Sequence, residues 1–339
     1  MGGALALYFP SVTGRGECPK PGGVKPGARC HWAQFAVNCA MHGKDASSPA
    51  GATVPPACPG FDPQPHLPQP ALPRGTCDSH HHVFGPYAKY PMQPERSYTP
   101  PEATLADYRR MCKSLGIERS VLVHPSVYGT DLRSLEDTLA ECRDWMRGVA
   151  VIDDGIDEQS LVRLDRAGVR GVRFNVLFKG GTPLAKARVI GERVARYGWH
   201  VQLLIDLAEH PAFYDDWKDF PVPIVVDHMG HMAASRGVHA PGFRAMLRLL
   251  AEGRCWVKLS GAYRNSAAGH PYTDTLPFVE ELVKTNPEQL VWGTDWPHPA
   301  VKAMPNDGDL VGLVPVWLPD SSVRERVLVR NPARLYGFD

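Results

Sequence analysis

Residues 77–86 read CDSHHHVFGP, three consecutive histidines between an aspartate and a Phe-Gly-Pro turn. Side chains alternate across an extended strand. His80 and His82 therefore share one face, His81 points the other way, and Asp78 falls on the face of His80 and His82, one pleat deeper. Two imidazoles side by side can carry a proton, hydrogen-bond a reacting group or ligate a cation such as Zn²⁺. Comparable groups recur along the chain: His124, Ser126 and Tyr128 in VHPSVYGTD, Arg173 and Asn175 in RGVRFN, and Asp227 and His228 in VDHMG. Lys258 and Ser260 follow in KLSG, with Arg264 beyond them, and Asp295 stands in GTDWPHP. A carboxylate that stays ionised at the working pH can take a proton from water, and a guanidinium fork binds a carboxylate through two parallel hydrogen bonds. No serine or cysteine carries a GxSxG-type motif, which disfavours covalent acyl catalysis.

The elements that must gather these groups are short apolar runs. Residues 76–84, 119–127, 147–154, 168–176, 199–206, 222–230, 255–261 and 289–297 are β-rich. Most are apolar on both faces, as parallel strands covered on each side are. Helical segments are predicted between them. The first spans 99–116, with Thr99 as N-cap, Pro100 at the first helical position, Glu102 at N3 and a closing Gly116. Others follow at 131–146, 157–168 and 184–198, the last two again closing on glycine. Eight such units over about 260 residues match the ~250 residues typical of a (β/α)8 TIM barrel. An open doubly wound sheet would usually carry fewer strands and a Gly-rich phosphate turn, and neither GxGxxG nor GxxxxGK[ST] occurs. Residues 76–339 are therefore read as one α/β domain, a TIM barrel. Reactive groups in such barrels project from the C-terminal ends of the strands, where the residues named above fall.

Residues 1–75 hold 13 prolines and 11 glycines, a composition expected of a disordered extension with no fold of its own. Cys18, Cys30, Cys39 and Cys58 lie there at irregular spacing without a CxxC pair, unlike a zinc module. Cys77, Cys112, Cys142 and Cys255 read as small buried apolar groups. Eight cysteines in 339 residues are too dilute for a disulfide framework, so a reducing cytoplasm is the expected compartment. With 37 basic and 36 acidic residues and a net charge of +1, nothing favours nucleic acid or an anionic membrane surface as partner. No apolar run reaches the ~18 residues of a membrane span, and the opening MGGALALYFP lacks the charged start and long apolar middle of a secretory signal.

Taken in order, DSHHHVF, VHPSVYGTD, RGVRFN, VDHMG and GTDWPHP, over residues 75–338, resemble the amidohydrolase superfamily. Within it they are most similar to the branch of 2-pyrone-4,6-dicarboxylate hydrolases and related sugar lactonases. The resemblance implies a hydrolase that opens a small carboxylated lactone, such as a pyrone dicarboxylate in aromatic-compound catabolism. It implies that Asp295 takes a proton from the attacking water, while His80, His82 and His228 surround the scissile carbonyl and stabilise the oxyanion. Arg173, Arg264, Ser126 and Tyr98 would hold the substrate's carboxylates, with Tyr128 and Lys179 as further contacts. Fixed donors aimed at a developing oxyanion are commonly the largest catalytic contribution, each about 3–4 kcal/mol.

Binuclear members of that superfamily carry Lys or Glu on strand four and His at the end of strand five. Here strand four reads RGVRFN, and strand five reads HVQLLID with His200 at its start, so a two-metal site is not expected. The branch resembled works without a metal, and no cofactor is expected; the alternative is one Zn²⁺ held by His80, His82 and Asp295, with His228 as a fourth ligand. Two departures widen the substrate range. Lys179 stands where the pyrone-dicarboxylate pattern has a second arginine, and Leu204 stands where it has a tyrosine. Competing readings are a zinc-dependent relative (a sulfonated or sugar lactonase, or a non-oxidative decarboxylase) and a catalytically silent barrel that binds an anion. His298 would either orient the Asp295 loop or cap it.

Overall fold

The computed structural model describes residues 55–338. Eight parallel strands run in chain order: β1 Cys77–His81, β2 Arg119–Val123, β3 Met146–Ala150, β4 Val169–Asn175, β5 His200–Leu204, β6 Ile224–Val226, β7 Cys255–Leu259 and β8 Leu290–Trp292. Strands β1, β5, β6, β7 and β8 are buried at every position, as strands covered on both faces are. Among the described residues, no helix is long and apolar enough to cross a membrane.

The outer helices follow their capping signals. Helix Glu158–Ala167 begins at Asp157, whose carboxylate accepts from Ser160 N, and ends at left-handed Gly168. The helix expected from Thr99 instead starts at Leu105, because Thr104 and Asp107 form a reciprocal capping box. Residues before it are used elsewhere: Thr99 bridges to Ala57, and Ala103 to Phe84.

Closure of the barrel lies past the end of β8. Asp295 N donates to His80 O at 2.7 Å, and His82 N donates to Trp296 O at 2.8 Å. Asp78 reinforces this seam. Its Oδ1 accepts from His80 N (3.0 Å) and Thr294 N (2.9 Å), and its Oδ2 accepts from the hydroxyls of Thr294 (2.6 Å) and Tyr108 (2.9 Å). The expected placement of Asp78 beside His80 and His82 is thereby corrected. Asp78 sits opposite Ser120 while His81 sits opposite Leu122, so the register slips by one residue between them. This bulge turns Asp78 to the side of His81, whose ring stacks on Tyr108 at 3.7 Å. His80 and His82 keep the interior.

At the opposite end, Phe338 lies under the guanidiniums of Arg119 and Arg147, and Tyr336 packs beside His200. The described part of the N-terminal extension is not detached from the barrel. Residues 56–58 pair with Thr99, and residues 62–66 bond to Asn306 and Asp309. Local composition predicts no fold there because the contacts that tie it to the barrel are long-range. Cys18, Cys30 and Cys39 lie outside the described residues.

Replacing Asp78 with alanine should lower unfolding stability by about 3 kcal/mol, since four buried donors lose their acceptor. Urea denaturation measures this, and a change under 0.5 kcal/mol would refute the role of the carboxylate in closing the barrel.

Candidate active site

The C-terminal strand ends surround a small cavity lined by His82, Tyr98, Arg173, His228, Arg264 and Asp295 among others. Two lining residues leave their strands through left-handed backbone, His228 at φ +51° and Asp295 at φ +67°. That conformation is rare outside glycine and concentrates at functional sites. Here it turns both side chains into the mouth. Small residues make room for His80 and His228: a Cβ on Gly293 would lie 2.7 Å from His80 N, and one on Gly261 would lie 2.8 Å from His228 Nδ1.

Asp295 is held on one oxygen only. Its Oδ2 accepts from Arg264 Nε at 2.6 Å and from Tyr263 OH at 2.5 Å. Its Oδ1 makes no hydrogen bond among the described residues, and lies 3.6 Å from His80 Nε2 and 3.8 Å from His82 Nε2. His228 Nε2 is 3.8 Å from Oδ2. Burial pushes this carboxyl up, but Arg264 and then the three histidines outweigh it and hold it well below its usual range. The base is ionised. Behind it, Tyr263 OH lies 2.9 Å from His298 Nδ1, and His298 Nε2 lies 3.1 Å from the buried carboxylate of Asp307. His298 thus supports the Asp295 side chain through Tyr263.

The imidazoles are neutral. Burial lowers His82 and His228 to about 3, opposed at His228 chiefly by Asp295, and lowers His80 well below 6.5, opposed by Asp227. His82 Nδ1 sits 2.7 Å from Val123 O. A carbonyl only accepts, so the proton is on Nδ1 and Nε2 presents a lone pair to the cavity. His228 Nδ1 faces Ser260 Oγ at 2.9 Å, a partner that can donate and leave Nε2–H pointing inward.

Deeper in the barrel Asp227 is a hub. Its Oδ2 accepts from Arg173 Nε (3.0 Å) and Gln202 Nε2 (3.1 Å), and its Oδ1 is 3.2 Å from His80 Nδ1 and 3.6 Å from Lys258 Nζ. Lys258 also donates to Ser79 O at 2.8 Å and Gln202 Oε1 at 2.9 Å. Burial brings its ammonium down to about 8, against the pull of Asp227.

Of the residues expected at the site, His80, His82, His228, Asp295, Arg173, Arg264 and Tyr98 are brought together. Ser126 is buried at the edge, 3.4 Å from Asn175 Nδ2. Tyr128 and Lys179 are not placed in the cavity: the Tyr128 hydroxyl accepts from Gly85 N at 2.8 Å, and Lys179 is exposed with its N–H on Ser97 Oγ. Arg264, expected to clamp substrate, has Nε on the base and Nη2 on Pro299 O. Sequence reasoning gave no role to Asp227, Gln202, Lys258, Tyr263 or Asp307. The first three occupy strand ends or interior-facing strand positions, a signal that was present. Tyr263 and Asp307 lie in short helices beyond the strand ends, without one.

Two ligand groups fit a single metal ion: His80, Asp227 and His228, and His80, His82 and Asp295, each set with ligand atoms within 4.8 Å of one another. The lone pair at His82 Nε2 and the free Oδ1 of Asp295 have the donor chemistry that a zinc site needs.

A family profile described as amidohydrolase matches residues 77–338. The chain belongs to the amidohydrolase family. It is 37% identical over 284 residues to a 2-pyrone-4,6-dicarboxylate hydrolase of Comamonas testosteroni, covering 80% of this chain and 93% of that protein. It is also 37% identical over 276 residues to a 4-sulfomuconolactone hydrolase of Rhizobium radiobacter, covering 79% and 91%. An apo crystal structure from Agrobacterium tumefaciens superposes with a TM-score of 0.75 at 31% identity, covering 80% of this chain and 99% of that one.

¹⁵N-histidine NMR at pH 7 should find His82 neutral with its proton on Nδ1, becoming charged only near pH 3. The unfolded chain takes up this proton near 6.5, so each such imidazole favours unfolding as pH falls from 6.5 towards 3. A His82 midpoint above 5 would contradict the burial argument.

Proposed function

We propose that the protein hydrolyses an anionic lactone, with Asp295 as general base and without a metal ion. The observation that carries this reading is Asp295 Oδ1, a buried carboxylate oxygen with no hydrogen bond among the described residues. It stands beside imidazole nitrogens, in a cavity that Arg173 and Arg264 also line. Two relatives named for hydrolysis of an anionic lactone support it.

In this reading a water against Oδ1 gives its proton to Asp295 as its oxygen bonds to the lactone carbonyl carbon. The oxyanion forms towards His228, whose Nε2–H is the donor that Ser260 permits. Collapse re-forms the carbonyl and breaks the ring C–O bond, and Asp295 returns the proton to the ring oxygen. The product is a hydroxyl, or its keto tautomer, and a new carboxylic acid that ionises. Arg173, preset by Asp227, holds an anionic group of the substrate together with Tyr98 and Ser126. Arg264 fixes the base and adds positive charge to the wall.

The lone pair at His82 Nε2 favours a second reading, in which His80, His82 and Asp295, with His228, hold one Zn²⁺. When bound, such an ion polarises a carbonyl and acidifies water.

Asp295→Asn should lower kcat at least ~10³-fold while product affinity stays within about threefold; unimpaired hydrolysis of a panel of dicarboxylated, sulfonated and sugar lactones would remove the base from this role. Because the base ionises well below 3.8 and His82 and His228 protonate only near 3, kcat/KM should be level from about pH 5 to 7 and fall only below about pH 4. An acid limb centred at pH 6 would contradict that. Dialysis against a chelator should leave turnover intact, and loss that Zn²⁺ restores would transfer the activity to the second reading.

A further inference from the structure

We infer that residues 55–66 belong to the active site, as a strap tying the wall that carries Tyr98 to the loop that carries Asp295. The inference rests on the proposed hydrolysis. It concerns a segment outside the matched family domain, which begins at residue 77.

One end of the strap is sewn to the substrate side. Thr99 N donates to Pro56 O at 2.7 Å, Cys58 N donates to Thr99 O at 2.9 Å, and the Thr99 hydroxyl donates to Pro55 O at 3.1 Å. The residue before Thr99 is Tyr98, which lines the cavity. The other end grips the loop after β8 at three places. Phe61 packs on the ring of Trp296 at 5.0 Å, directly after the base. Cys58 Sγ accepts from Ala300 N at 3.3 Å. Asn306 Nδ2 donates to Asp62 Oδ2 at 2.8 Å and Gln64 O at 3.1 Å, while its Oδ1 accepts from His66 N at 2.9 Å. Backbone approach is closest at Gly308, where a Cβ would lie 1.8 Å from His66 O, so only glycine fits.

That loop needs holding. Asp295, His298 and Ala300 all have left-handed φ, at +67°, +58° and +60°, conformations that persist only where surroundings over-determine them. Its inner side is fastened by Arg264 on Pro299 O and by His298 on Asp307. Its outer side is covered by Phe61, Cys58 and Asp62. Loss of the outer fastening would let Asp295 Oδ1 drift from the reacting water, and a misplacement of ~1 Å can lower rates by ~100-fold. Phe61, Asp62 and Asn306 are thus positioning residues for the base. None of them lines the cavity.

The test uses the full chain carrying Phe61→Ala and Asn306→Ala, singly and together. Turnover of the lactone that the parent hydrolyses is measured alongside amide hydrogen exchange. The double variant should lose at least tenfold in kcat with KM within threefold. Exchange should quicken in residues 97–99 and 295–306 while the barrel strands keep their protection. Phe61→Tyr, which keeps the ring on Trp296, should retain kcat within twofold. Three results would each overturn the inference: kcat of the double variant within twofold of the parent, unchanged exchange in both segments, or exchange that quickens equally throughout the barrel. If the parent hydrolyses no lactone, the proposed function fails, and the exchange data still decide whether the strap holds both walls.

Discussion

Asp78 accepts four hydrogen bonds at the seam where the chain after β8 meets β1, and two of them, from Thr294, 216 residues away in sequence, cross it. Every other feature of the site depends on that closure. His80 and His82 stand on one side of the seam and Asp295 on the other, and the backbone bonds between them set a separation of 3.6–3.8 Å. The carboxylate itself remains outside the cavity, because the bulge after Asp78 turns it towards Tyr108. A fully buried carboxyl is tolerated there because each of its lone-pair directions finds a donor. Burial still raises its pKa to about 6, the hydrogen bonds from Thr294, His80 and Tyr108 opposing the shift.

Charge pairing organises the interior. Arg173, Lys258 and Arg264 are buried cations, and Asp227 and Asp295 are buried carboxylates. On the cavity wall itself, with neutral imidazoles, Arg173 and Arg264 stand against Asp295, one positive charge in excess. Buried charges persist when they are paired and hydrogen-bonded, so an anionic substrate completes what the protein leaves open. The two carboxylates also divide the work. Asp227 has Arg173, Gln202, His80 and Lys258 around it and serves to orient them. Asp295, the one of the two that lines the cavity, presents an oxygen without a hydrogen bond there, and chemistry belongs to it.

Much of this was legible from the motifs. Their spacing at the ends of apolar runs identified the barrel, the His80–His82 face, Arg173, His228 and Asp295. Other positions resisted for definable reasons. Tyr128 and Lys179 occupy suitable places in sequence, yet loop geometry sends one to Gly85 and leaves the other exposed. Thr99 resembles a helix cap, yet it pairs with Ala57, since Thr104 and Asp107 offer the helix a better start. Arg264 was expected to clamp substrate, and its Nε lies instead on the base. Residues 55–66, poor in apolar periodicity, adopt their path only because Trp296, Ala300 and Asn306 await them.

The amino-acid sequence by itself determined the alternation of strands and helices, the side-chain types at each strand end and the near-neutral total charge. Those are consequences of local periodicity and composition, which operate over a few residues. The tertiary structure alone decided which oxygen of Asp295 is free, which nitrogen of His82 carries its proton, on which side of β1 Asp78 lies and what restrains the loop after β8. Each of these depends on distances between groups far apart in the chain, and such distances exist only once the barrel has closed.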